Sequence, residues 1–517
     1  MSERTIDTAR ARAATSAPPV PAELSAQTRA LIAAPQVNLG GSWSVGAAEA
    51  VVTAVDPYTE HVLGDARCAS DEQVDQAIRA ARGAVDGGRW SGLSPADRSR
   101  LLHRAVDVFD RHRRTLAEIV TAETGSPITL THAQQIAPML EHLAWFADAA
   151  ARGPRGGFEQ GLPTRRTGSV TSASMLVREP IGVVAALTPY NAPLVTAVWK
   201  VGGALASGSA AVLMPSPLAV LSSLVWARLL GEADLPDGAF SFLVGDSSVG
   251  QRLTASNDVD MVTFTGSTEV GRQVARQASS NLKRLVLELG GKSPNVLLPG
   301  ADVEAAAEPS ALRFLRNAGQ ACGATTRTFV PSGDYEHFVD ATRTVLPSVA
   351  VGDPWRADTV VGPLISAPHR DRVEAFVERA VATGGVVEAG GGRPQRDHGY
   401  FLAPTLVGHV DNAAEIAREE LFGPVGVVIP YDDVASAIAM ANDSRYGLGA
   451  NVWGPPGPAL EVARRIRSGT VTINGGGGGL RPDAPFGGYR QSGVGREAGE
   501  EGFGEFFEVK QLQWPVG

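Results

Sequence analysis

Residues 181–191 run Ile181-Gly182-Val183-Val184-Ala185-Ala186-Leu187-Thr188-Pro189-Tyr190-Asn191, an apolar stretch that closes on a polar turn. It has the length of one strand, and Pro189 stops it. Four more runs of this texture follow at 210–214, 239–244, 261–264 and 284–287, separated by helical segments. Near-continuous hydrophobic strands alternating with helices predict an α/β fold, a parallel sheet covered on both faces. Ligands in such sheets bind beyond the carboxyl ends of the strands. Those ends carry Pro189-Tyr190-Asn191, Pro215-Ser216, Gly245-Asp246, Thr265-Gly266-Ser267 and Glu288-Leu289-Gly290, so polar and Gly-rich residues converge on one edge.

Outward from this block, helical spacing predicts one amphipathic helix over 97–123 and another over 132–151. Residues 1–35, rich in Ala, Arg, Ser and Pro, read as a mobile arm with a helical turn or two near 24–32. A second α/β unit occupies about 290–490, with a run of five glycines at 475–479, and 503–513 reads as a terminal strand. At about 150 residues per domain, the length of 517 suggests three to four units.

Composition narrows the function. A hydrophobic fraction of 44% excludes wholesale disorder, and two cysteines exclude a disulfide scaffold. A net charge of −9 argues against nucleic-acid binding. The longest apolar stretch, 181–198, is broken by Pro189, Asn191 and Pro193, so no membrane span is expected. The amino terminus lacks the apolar core of a secretory signal, and the expectation is a cytoplasmic enzyme without metal ligands.

Three side chains stand out as chemistry. A lone cysteine is ordinarily a small buried hydrophobe, and Cys68 keeps that reading. Cys322 differs: Ala321 and Gly323 leave the thiol unguarded, and Gly319 permits a tight backbone approach, as a nucleophile needs. Glu288 ends an apolar strand at the ligand edge, where desolvation raises its proton affinity and suits it to general-base work. The Asn191 amide could donate to an oxyanion, although taken alone a turn between two prolines is the better account of it. Gly266-Ser267-Thr268-Glu269-Val270-Gly271 follows a strand and opens a helix, a place for phosphate. Residues 493–499 are one residue too long for the dinucleotide fingerprint and follow no clear strand, so they are set aside as a phosphate site.

The chain resembles the aldehyde dehydrogenase superfamily from about residue 38 to 512. Six pieces stand in the family's order: Pro189-Tyr190-Asn191, Phe264-Thr265-Gly266-Ser267-Thr268, Glu288-Leu289-Gly290-Gly291-Lys292, Gly319-Gln320-Ala321-Cys322, Glu419-Glu420-Leu421-Phe422-Gly423-Pro424 and Pro485-Phe486-Gly487-Gly488. The resemblance implies oxidation of an aldehyde to the acid. Cys322 would attack, the oxyanion would lie between the Asn191 amide and the Cys322 backbone N–H, and Glu288 would activate water. Family members that transfer the acyl group to coenzyme A tend to lack that base. Lys200 and Glu497 match a proposed proton relay, for which a structural ion pair is the equal alternative. The cofactor would be NAD, with NADP as the other choice, held by Thr188, Pro189, Tyr190, Met214, Ser216, Gly245, Gly266, Ser267, Leu289 and Gly290. Glu420 would hold the nicotinamide ribose and Phe422 would pack near the ring. Ala192, Trp199, Ala321, Gly323, Gly475 and Phe486 would line the substrate pocket.

Two departures from the family pattern bear on specificity. Met214-Pro215-Ser216-Pro217 replaces the common Lys-Pro-Ser-Glu, which removes both the cation that would attract a 2′-phosphate and the anion that would repel it. Ala192 stands where an aromatic residue is frequent, and 475–479 falls at the pocket mouth, so a bulky or aromatic aldehyde is expected. A merely flexible surface loop would explain the glycines equally well. The resemblance also implies a cofactor domain (36–162 and 181–289), a catalytic domain (290–490) and an oligomerisation element (163–180 with 503–513), hence a homodimer or homotetramer. Two other classes compete. A thiol-dependent ester hydrolase leaves Gly266, Ser267 and Glu420 unexplained, and a catalytically silent scaffold would be expected to have lost Cys322 or Glu288.

Overall fold

The computed structural model describes residues 24–476 and 479–516. The five apolar runs become the strands Val183–Thr188, Ala210–Pro215, Phe240–Phe242, Met261–Thr265 and Arg284–Glu288, all parallel in one eight-stranded sheet. Their Val, Ala and Leu side chains are almost wholly buried, which is why the runs lack alternation. From the first strand the chain builds one way through 210 and 240, then returns to the other side for 261 and 284. The order therefore reverses between the strands ending at Thr188 and Thr265, which leaves a crevice at their carboxyl ends.

The sheet closes at both edges with short antiparallel strands. Val37–Leu39 and Ser42–Ser44 cover one side, and Gly493–Val494 pairs with Leu287 and Glu288 on the other. Residues 493–499 thus cap a sheet edge. Phe486 and Glu497 then exchange backbone hydrogen bonds of 2.6 and 2.8 Å, which draws Glu497 toward the carboxyl end of the 284 strand.

A second, seven-stranded sheet is built from Pro294–Leu297, Arg327–Pro331, Thr405–Gly408, Val425–Tyr431, Gly449–Trp453 and Thr470–Ile473, all parallel, with Val386–Ala389 antiparallel at one edge. It has its own core, separate from the one that covers the first sheet. The passage between them runs through Gly290 to Pro294, directly after Glu288.

Several elements differ from expectation. The helix expected over 97–123 is two, Pro95–Arg111 and Arg113–Thr124, because His112 leaves the helical region at ψ 15°. The second helix, Ala137–Arg152, is preceded by a turn of wide π geometry at His132–Ile136, and another such turn occupies Val198–Gly202. Most of the expected arm lies outside the described residues, but its end is packed rather than mobile. Helix Ala26–Ile32 buries Thr28 and Ile32, and Glu118 accepts hydrogen bonds from Ser25 N (2.9 Å) and Thr28 Oγ1 (2.6 Å). The hairpin expected at 163–180 spans Glu159–Thr167 and Val170–Pro180. The terminal strand is Phe507–Val516, since Gly499–Gly504 is helical, and it pairs antiparallel with Val170–Pro180 in a three-stranded sheet. Among the described residues no helix is long and apolar enough to cross a membrane.

Candidate active site

The backbone before Cys322 is unusual. After helix Val303–Leu315, Asn317 (φ 53°), Ala318 (φ 55°) and Gly319 (φ 75°) are all left-handed, a conformation that costs a non-glycine residue on the order of 1 kcal/mol or more. Gly319 has no alternative, because a β-carbon there would stand 1.9 Å from the Gly423 carbonyl oxygen. Polar bonds hold the turn. The Gln320 side chain accepts from Ile365 N at 3.0 Å and from Tyr190 Oη at 3.2 Å. Asn191 Nδ2 donates to the Gln320 carbonyl at 2.9 Å, and the Asn191 carbonyl accepts from Gln135 Nε2 at 2.9 Å. One amide hydrogen of Asn191 is thereby committed, and the other remains for an oxyanion.

The turn brings Cys322 onto the end of the 284 strand. A β-carbon at Gly291 would lie 2.3 Å from the Cys322 carbonyl oxygen, so only glycine lets the two segments meet. Cys322 is half-buried, and its thiol pKa is pushed up to about 12, first by desolvation and then by the Glu288 and Glu420 carboxylates. The Gly323 backbone and Arg316 oppose this. Glu288 is 2% exposed, and neither carboxyl oxygen has a hydrogen-bond partner. Desolvation, aided by Glu497, holds its pKa well above the usual carboxylate range. Gly487 makes the space it occupies, since a β-carbon there would stand 2.6 Å from Oε1. Behind it Lys200 and Glu497 form a fully buried ion pair, and Thr263 Oγ1 accepts from Lys200 Nζ (3.1 Å) while donating to Glu497 Oε1 (3.0 Å). The sequence pairing of these two is thus present in space.

The crevice at the strand reversal fits a dinucleotide. The hydroxyls of Thr188 and Thr265, one on each flank, are buried without partners. Besides the short helix Pro193–Ala197, three helices start at this edge, Val220–Gly231, Ser247–Ala255 and Thr268–Ala278, and two are already plugged by carboxylates. Glu123 accepts from Leu221 N and Ser222 N at 2.7 Å each, and Asp246 caps Ser247–Ala255. Helix Thr268–Ala278 has only the neutral Ser267 as its cap, which leaves its N-terminus for a phosphate. Ser216 caps its own short turn, Met214 is buried, and Gly245 and Gly266 accept no side chain because Val249 and the Phe264 ring lie against them. Leu289 packs on Gly271. Glu420 accepts from Gly291 N at 3.0 Å and lies against Gly290, and Phe422 meets the Tyr190 ring edge-on at 6.0 Å. Pro189 ends the strand beside them.

The Trp199 ring packs at a tilt against Phe486 at 5.0 Å and His142 at 5.6 Å, giving an apolar wall. Ala321 is half-buried, and a β-carbon at Gly323 would meet open space. Gly475 donates its N–H to Asn451 Oδ1 (3.3 Å) and receives a hydrogen bond from Arg313; Gly477 and Gly478 lie outside the described residues. Sequence reading missed Gln135, Asn317 and Thr263, whose roles depend on a π turn, a left-handed turn and a neighbouring strand. Among the described residues no cluster suited to a metal ion occurs.

The model of the aldehyde dehydrogenase family matches residues 43–512, and the chain belongs to that family. It is an aldehyde dehydrogenase by fold and by class. It is 38% identical to geranial dehydrogenase of Castellaniella defragrans over 92% of this chain and 98% of that one. It is 40% identical to 3-succinoylsemialdehyde-pyridine dehydrogenase of a Pseudomonas species, over 92% and 97%. Aldehyde dehydrogenase C of Pseudomonas syringae, solved as a cysteine-to-alanine mutant with NAD+ and octanal, superposes with a TM-score of 0.87 at 37% identity, covering 95% of this chain and 97% of that one.

Replacing Gly319 with Ala would force a β-carbon onto the Gly423 carbonyl at an unfavourable φ. The expected result is a loss of about 2 kcal/mol or more in urea unfolding, with thiol alkylation at Cys322 altered as the turn shifts.

Proposed function

We propose that this chain oxidises an aldehyde to the carboxylic acid with NAD, using Cys322 as nucleophile and Glu288 as base. One observation carries the reading: Cys322, in the turn before the strand Arg327–Pro331 of the second sheet, and Glu288, at the end of a strand of the first, meet through the Gly291 contact beside the orphaned Thr188 and Thr265 hydroxyls. The Cys322 thiol gives its proton to solvent water, and its sulfur bonds to the aldehyde carbon. The charge on oxygen is met by the free hydrogen of the Asn191 amide and the Cys322 N–H. NAD, when bound, supplies the hydride acceptor that turns the thiohemiacetal on Cys322 into a thioester. Glu288 then takes a proton from water, which attacks the thioester; the acid is released as the C–S bond breaks, and the departing sulfur takes a proton from solvent to become the thiol again. The Lys200–Glu497–Thr263 cluster gives the proton taken by Glu288 a route away, because Glu497 is the carboxylate whose charge bears on Glu288.

Thr188, Thr265, the helix behind Ser267 and Glu420 would hold the cofactor. NAD rather than NADP is supported by the NAD+ bound in the Pseudomonas syringae structure, since Met214 and Pro217 supply no charge that chooses. The small Ala192 and the Trp199–Phe486 wall suit a bulky or aromatic aldehyde, and relatives named for geranial and for a pyridine semialdehyde are of that kind. The three-stranded sheet exposes Val509, Leu512 and Trp514 on its edge strand, and an edge of that kind favours a homodimer or homotetramer. The enzyme works in the cytoplasm on this reading.

Because only the ionised Glu288 accepts a proton and its pKa is raised, turnover should keep rising with pH well beyond the usual carboxylate value of 4.5 instead of levelling off just above it. Steady-state NADH formation measured against pH checks this, and Glu288→Gln should retain a single burst of NADH while losing steady turnover by about a hundredfold or more. In a substrate panel, aromatic or branched aldehydes should exceed acetaldehyde in kcat/KM. Light scattering should give a dimer or tetramer, and a chain ending at residue 506 should give a monomer.

A further inference from the structure

Two arginines stand on the segment that leads to the nucleophile and have no acid to face. Arg313 and Arg316 lie one helical turn apart, at the end of helix Val303–Leu315 and just beyond it. Among the described residues neither forms an ion pair. Arg316 donates through Nε to Gln134 Oε1, and its two terminal nitrogens have no protein partner. Arg313 donates through Nη2 to the Gly475 carbonyl. The pair therefore ties the segment before the nucleophile to two neighbours: the π turn, whose Gln135 holds the Asn191 carbonyl, and Gly475 at the start of the glycine run. Arg316 is solvent-exposed in area yet crowded enough that desolvation lowers its pKa, the combination expected of a group lining a channel. It is also near enough to Cys322 for the two charges to interact.

An uncompensated guanidinium in a recess costs solvation free energy, and a carboxylate is the partner that recovers it in a planar, two-pronged contact. We propose that Arg316, supported by Arg313, receives an anionic group of the substrate, so that this enzyme prefers aldehydes that also carry a carboxylate. The proposal rests on the aldehyde-oxidising reading above and adds a substrate class to it. The apolar Trp199–Phe486 wall accepts the body of such a molecule while the guanidinium holds its far end, which fixes the aldehyde carbon relative to the Cys322 sulfur. A second arginine behind the first raises the local potential and draws anions to the mouth.

The test compares two matched pairs with NAD: 4-carboxybenzaldehyde against 4-methylbenzaldehyde, and 4-oxobutanoate against pentanal. The wild-type enzyme should favour the carboxylate in at least one pair by about tenfold or more in kcat/KM, the scale of one charge-assisted contact, chiefly through KM. Added salt should shrink the preference. Arg316→Gln should erase that ratio, Arg316→Lys should restore part of it, and Arg313→Gln should reduce it less. Equal or better use of the neutral partner in both pairs overturns the proposal, as does an unchanged ratio in Arg316→Gln. Absence of NADH from every one of the four aldehydes instead overturns the parent reading.

Discussion

The contact between Gly291 and the Cys322 carbonyl is the constraint on which the rest of the molecule depends. The first sheet ends in Glu288 and the second begins at Pro294, so the connecting residues are the only covalent link at this point between two separate cores. Glycine at 290 and 291 lets the Glu420 carboxyl and the Cys322 loop close onto the link from the other side. A methyl group at either position would hold the base, the nucleophile and the cofactor edge apart. The two left-handed non-glycine residues before Cys322 are the conformational cost of aiming the thiol inward, and the Gln320, Asn191 and Gln135 bonds offset it.

Burial then sets the chemistry. Cys322 and Glu288 both have raised proton affinity from the same cause, removal from water. Behind the site the buried Lys200 and Glu497 pair with each other. A buried pair of this kind contributes little net stability, which favours a role in positioning or proton movement over a purely structural one. The helix ends follow the same logic: carboxylates occupy two of three N-termini at the cofactor edge and leave one with a neutral cap.

Much of the fold was legible along the chain. Each of the five apolar runs became a strand within a few residues of its expected ends, because a strand buried on both faces must be apolar throughout and tolerates no disguise. The break at His112 and the two π turns were not legible, since nothing in residue type there departs from ordinary helix. The carboxyl-terminal strand was placed too early because Gly499–Gly504 carries no strong helix formers and is helical through its packing. Residues 24–32 looked mobile by composition and are held by Glu118, a partner more than eighty positions away.

The sequence by itself determined the parallel sheet, the ligand edge and the family, because these depend on local hydrophobicity and on short motifs whose residues are neighbours. It also singled out Cys322, Glu288 and Asn191. Only the tertiary structure decided that Thr263 completes the Lys200–Glu497 cluster, that Gln135 fixes Asn191, and that, among the described residues, Glu288 lacks a hydrogen-bond partner and Arg313 and Arg316 form no ion pair. Each of these is a relation between segments far apart in the chain, and burial and pairing exist only once the chain is folded.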